Sequence, residues 1–168
     1  NIDASIHFEQ HVARGNNYGV GAAALQALTT GANNIAVGQA SMQALTTGSD
    51  NTAAGVGALA ATNGSGSTAF GRAALASNTT GDSNSAVGQF ALASNTIGVR
   101  NTAVGGNALT ANIGGADNTA IGVAALAGNT TGTESTAVGT FALISSPDGA
   151  GNTAIGFVAG EYAPGADN

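Results

Sequence analysis

The sequence contains no cysteine, no tryptophan and no lysine. Without cysteine, neither a disulfide framework nor a thiolate metal site is available. Arg14, Arg72 and Arg100 are the only arginines, set against nine acidic side chains, for a net charge of -6. That balance excludes the basic footprint that nucleic acid requires, and it disfavours docking on an anionic membrane surface. The apolar runs are short and broken by glycine, so none is long enough to span a bilayer as a helix. The chain does not begin with Met and shows no signal-peptide pattern, which reads as a piece cut from a longer protein. Leu, Ile, Val and Phe together make up about a fifth of the residues, and there are 27 glycines. Such a composition suggests disorder, yet charged residues reach only 7%, whereas disordered chains are usually rich in charge. Residue order has to decide.

The order is periodic. A glycine recurs at Gly21, Gly38, Gly55, Gly71, Gly88, Gly105, Gly122, Gly139 and Gly156, with spacings of 17 and a single 16 between Gly55 and Gly71. The residues just before it are Val20, Val37, Ala54, Phe70, Val87, Val104, Ile121, Val138 and Ile155. Two before it is Ala in every copy but the first, which has Gly19. Three before it, Thr or Ser fills every copy after Tyr18 and Ile35. Four after it stand Leu25, Met42, Leu59, Leu75, Leu92, Leu109, Leu126 and Leu143. The unit reads N-T-A-V-G-x-x-A-L-x-x-N-T-T-G plus one or two variable residues.

In a strand, Thr and Val share one face and the intervening Ala points to the other. The x-x-A-L piece predicts a second short extended segment, and the anchor glycines and T-T-G stretches predict turns at positive φ. No apolar stripe at helical spacing survives the Gly, Thr and Asn clusters. Units of this size predict an all-β parallel β-solenoid of about nine coils of 16–17 residues, rising ~4.8 Å per coil. Val37, Leu59, Leu75, Val87, Leu92, Val104, Leu109, Ile121, Leu126, Val138, Leu143 and Ile155 are the expected repeat core. Asn34, Asn51, Asn84, Asn101, Asn118 and Asn152, and the later Asn78, Asn95, Asn112 and Asn129, are expected to stack as amide ladders. One Leu and one Val per coil bury little area against the entropy of ordering the coil. The repeat offers two apolar faces, the Val/Leu set and the Ala column, one to fill the coil and one to pack on another chain. A homo-oligomer follows as an expectation.

The phrases "NTAVG", "NTAIG", "NSAVG" and "STAVG" resemble the N-S-V-A-I-G phrase of the head domains of trimeric autotransporter adhesins, the YadA-like proteins. The resemblance covers about residues 16–160. It implies a left-handed parallel β-roll packed side by side as a homotrimer. It further implies a non-enzymatic adhesin at the outer membrane surface of a Gram-negative bacterium, binding host cells or extracellular matrix proteins. Residues 1–15 then read as an irregular N-terminal coil or cap, 16–160 as head repeats and 161–168 as the start of a truncated further repeat. The unit here is longer than the family's, and Thr replaces the first apolar residue of the phrase. Neck, stalk and membrane anchor do not occur in this segment. Trimeric phage tail fibres use similar repeats, and a Thr row on a β-solenoid also fits an ice-binding surface.

Candidate sites are few. His7, Glu9 and His11 alternate, so a strand would set them on one face, as a metal site or as a polar cap. Asp50, Asp82 and Asp117 recur before the strand, but Ser67, Glu134 and Gly151 interrupt any calcium-binding row, so they read as solvated turn residues. No nucleophile–base set converges, which points away from an enzyme, and no cofactor is implied. Asn63, Asn78 and Asn129 begin N-x-S/T matches that a repeat of this composition produces by chance. Phe90 and Phe141 read as exposed anchors or as packing at a seam between chains. The candidate ligand contacts are the variable positions Arg72, Asp82, Gln89, Arg100, Asn107, Glu134 and Thr140.

Overall fold

The computed structural model describes residues 15–146 and 148–160. They form nine three-residue strands: β1 Tyr18–Val20, β2 Ile35–Val37, β3 Thr52–Ala54, β4 Thr68–Phe70, β5 Ser85–Val87, β6 Thr102–Val104, β7 Thr119–Ile121, β8 Thr136–Val138 and β9 Thr153–Ile155. They pair in parallel in sequence order, so each circuit of the chain adds one strand to the same sheet. The result is a parallel β-solenoid of about eight turns. Register follows the repeat column by column, as Thr102↔Thr119, Ala103↔Ala120 and Val104↔Ile121. The 16-residue unit is absorbed outside the sheet, because β3 and β4 still align Thr52↔Thr68 and Ala53↔Ala69.

The Ala column faces inward. Ala36, Ala53, Ala69, Ala86, Ala103, Ala120 and Ala137 are fully buried, together with the Ala-Leu pairs that follow the anchor glycine. This corrects the expected grouping of Val with Leu. Leu59, Leu75, Leu92, Leu109, Leu126 and Leu143 lie in the core, whereas Val37, Val87, Val104, Ile121 and Ile155 are exposed on the outer face and Val138 is only partly buried. Alternation puts Ala and Val on opposite faces, and the sheet wall faces the Ala-Leu turns across a narrow interior that admits Ala from the strand.

The x-x-A-L piece is a series of turns and carries no second strand. Its buried Leu residues sit in the left-handed region, Leu92 at φ 51 and Leu109 at φ 50, as does the residue two positions earlier, such as Ala73 at φ 55 or Phe90 at φ 58. The anchor glycines do take positive φ, for instance 132° at Gly71, where a Cβ would also come within 2.6 Å of the Gly88 carbonyl oxygen. The T-T-G glycines are required for a different reason. A Cβ at Gly98 would strike the carbonyl of Gly115 and lie 2.7 Å from Asn112 Nδ2. Close approach between coils therefore demands glycine there, while much of the left-handed backbone falls on Leu, Ala and charged residues at about 1–2 kcal/mol each.

Two buried polar columns close the corners. Asn101 Nδ2 donates to Asn84 Oδ1 (3.2 Å) and to the Gly115 carbonyl (2.7 Å), and its backbone N–H also reaches Asn84 Oδ1 (2.9 Å). Asn118 repeats the pattern one coil on. The second column runs Asn95 Nδ2 to Asn78 Oδ1 (2.8 Å), Asn112 to Asn95 (2.7 Å) and Asn129 to Asn112 (2.8 Å). Stacked amides satisfy one another where water has no access.

Candidate interaction surfaces

Each coil offers three sides: the strand, the turns that carry the Ala-Leu pair, and the T-T-G side with the turn leading back to the strand. The strand side is the most apolar. Twelve of the fourteen large exposed apolar side chains lie on it or on the two residues after the anchor glycine. Val37 (44% exposed), Phe70, Val87, Val104, Ile121 and Ile155 form one row, and Val56, Val123 and Phe157 stand beside it. The half-buried threonines Thr52, Thr68, Thr102, Thr119 and Thr136 make a parallel row. Contiguous exposed apolar surface of this kind makes the strand side a candidate interaction face.

Acidic charge is segregated from it, and Arg72, in the column of Val56 and Val123, is the one charged side chain beside it among the described residues. Among the described residues no strand carries a charged side chain, and all the acids, Asp50, Asp82, Asp117, Glu134 and Asp148, project from the T-T-G side. Arg100 lies among them and forks onto Asp117 through Nε (2.6 Å) and Nη2 (2.7 Å). That hydrogen bond, first among the causes, holds the Asp117 carboxyl below its ordinary range. Hydrogen bonds from the hydroxyls of Thr130 and Thr131 lower Asp148 in the same way.

The predicted contact residues divide between the two edges of the strand face. Arg72, Gln89, Asn107 and Thr140 follow the anchor glycine, all exposed except the half-buried Thr140. The Arg72 guanidinium lies over the ring of Phe90 at 5.4 Å, which leaves Phe90 only partly exposed. Phe141 packs edge-on against Phe157, ring centroids 6.3 Å apart. Asp82, Arg100 and Glu134 lie on the opposite edge, in the turn before the strand. Asp50 accepts from Asn33 Nδ2 (2.9 Å) and Asp82 from the backbone N–H of Ser65 (2.7 Å).

Of the N-x-S/T asparagines, Asn78 and Asn129 are buried ladder members, and only Asn63 is exposed. Its Oδ1 accepts from the backbone N–H and hydroxyl of Thr46. His7, Glu9 and His11 lie outside the described residues, among which no group of three His, Cys, Asp or Glu gathers to hold a metal. Ile97 and Ile113 are not among the positions that the repeat pattern singles out. They replace threonine on the T-T-G side and are 60% and 48% exposed. A break in an otherwise hydrophilic column was the available signal. Compared with known proteins, the chain matches no family model, no curated protein and no solved structure.

Proposed function

We propose that this chain is the non-enzymatic head of a surface adhesin, a left-handed β-roll that packs side by side with copies of itself as a homotrimer. In this reading it lies outside the cell, carried on a bacterial outer membrane. It attaches to host cells or extracellular matrix proteins through its variable turns. The observation that carries the proposal is the apolar ribbon running along the strand side, which carries no acidic side chain among the described residues. Copies meeting there bury Val, Ile and Phe without bringing the acidic sides together, and the small Thr side chains of the parallel row allow close approach. Three weak contact surfaces on one fibre then multiply into firm attachment.

Replacing Val104 and Ile121 together with Lys tests the seam. The expected result is an assembled wild-type chain and a folded, monomeric double variant by sedimentation velocity and circular dichroism. Assembly that survives both lysines would remove the strand side as the seam. For attachment, beads bearing the wild-type chain should bind matrix-coated surfaces above an albumin control.

One observation favours a second reading. Thr102, Thr119, Thr136 and Thr153 stand in register on the outer face beside Val104, Ile121, Val138 and Ile155. Such a row, repeating every ~4.8 Å, is a surface on which ice could order. It requires the face to stay open in a monomer, so thermal hysteresis from a monomeric chain would support it over the adhesin reading.

A further inference from the structure

We infer that a second, separate docking platform lies on the acidic side of the rod at Ile97, Ile113 and Gly114, and that it takes a basic protein segment bearing an apolar side chain. In four other coils these two column positions hold Thr29 and Thr30, Thr46 and Thr47, Thr79 and Thr80, or Thr130 and Thr131. Here Ile97 takes the second position in one coil, after Thr96, and Ile113 takes the first in the next, before Gly114. The backbone N–H groups of Thr96, Ile97 and Gly98 converge on the Ile113 carbonyl, at 3.0, 3.1 and 3.3 Å, which fixes the backbone of one coil against that of the next. Gly114 provides the floor. A Cβ there would lie 3.5 Å from Ile97 Cγ1, in ordinary contact, so a side chain fits but none is present. The half-buried Val99 and Ala116 extend the apolar surface. The Arg100–Asp117 pair stands at its rim.

The charge around this platform selects the partner. All acids among the described residues project from this side, and its one cation, Arg100, is already engaged by Asp117. A second copy of the chain, itself acidic, is repelled, whereas a cationic segment is attracted and oriented. Two adjacent isoleucines with a glycine floor then supply the desolvated contact that charge alone does not. The platform is on a different side from the strand ribbon, so self-assembly leaves it open. The inference rests on the adhesin reading only for its biological setting.

The test substitutes Ile97→Thr and Ile113→Thr together, restoring residues that other coils carry at these positions and so preserving the fold. The probes are three fluorescent synthetic peptides: an alternating Lys/Leu peptide, its Glu/Leu counterpart and oligolysine. Anisotropy titrations with the full chain should show the Lys/Leu peptide binding about tenfold tighter than either other peptide. The double substitution should remove about tenfold of that affinity. Equal binding by wild type and double variant, equal binding of the Lys/Leu and Glu/Leu peptides, or no binding of the Lys/Leu peptide would overturn the inference. Sedimentation of the same samples reports self-assembly separately, so a monomeric chain that still discriminates the peptides refutes the trimer and leaves the platform standing.

Discussion

The buried corner seven residues after the anchor glycine is built in two ways along one rod. Near the first strand it holds the partly buried Leu28 and the buried Leu45, and from β4 onward it holds Asn78, Asn95, Asn112 and Asn129 and then Ser146, with Thr62 between the two blocks. The backbone is nearly the same in both regions, so the difference isolates what the corner requires. In the amide region the Gly98 carbonyl accepts from two asparagines, Asn84 (2.7 Å) and Asn95 (3.0 Å). In the leucine region the equivalent Gly48 carbonyl is still served by Asn34 (2.9 Å), a member of the other ladder. Leucine is therefore tolerated because it strands no backbone acceptor. Within each block the corner residue stacks on its own kind, and Thr62 and Ser146 stand where a block ends. At the junction Thr62 does both jobs, accepting from Asn78 Nδ2 (3.2 Å) and from the Gly64 N–H (3.1 Å).

Mixing the two chemistries should have the largest effect. Asn112→Leu strands Asn95 Oδ1 inside the coil and takes from Asn129 Nδ2 one of its acceptors. A loss of about 3 kcal/mol in urea unfolding is expected. Extending the leucine block should soften that loss. Asn95→Leu combined with Asn112→Leu should cost about 1 kcal/mol less than the sum of the single changes, measured as a double-mutant cycle. Strict additivity would mean that self-stacking is not what the corner selects. The backbone strain, by contrast, should be the same in both regions. Ala40 (φ 56) and Ala124 (φ 54) occupy the position where one coil already has Gly57 (φ 67). Ala40→Gly and Ala124→Gly should each stabilise by about 0.5–1 kcal/mol, and Gly57→Ala should destabilise.

The smallest effect is electrostatic and confined to the amide region. Asp117 and Asp148 have folded-state pKa values below the ordinary carboxylate range. Their contribution is present above about pH 4 and is lost as pH falls through the depressed folded values. Both are solvent-exposed, so the effect is slight and screened by salt. Asp117→Asn should flatten the acid limb of the Tm–pH curve, most visibly at low ionic strength.

Much of this architecture was legible in the sequence. The glycine spacing gave the coil, the Thr-Ala-Val columns gave the strand register, and the asparagine columns gave the ladders. The orientation of the strand was not legible, because alternation separates Ala from Val without saying which faces inward. The narrow cross-section decided it in favour of Ala. The left-handed Leu92 and Leu109 were equally hidden, since such residues disfavour that conformation and accept it here under the packing of the neighbouring coils. The candidate contact positions rest on variability alone, which singles out Arg72 and Glu134 among the polar turns and leaves out Ile97 and Ile113, apolar interruptions of a hydrophilic column.

Sedimentation equilibrium of the intact chain tests the central claim, that the apolar strand side is a seam between copies. The account predicts a mass three times 15.9 kDa, falling to the single-chain value when Val104 and Ile121 are replaced by Lys. A wild-type chain that stays folded at 15.9 kDa across the concentration range would contradict it.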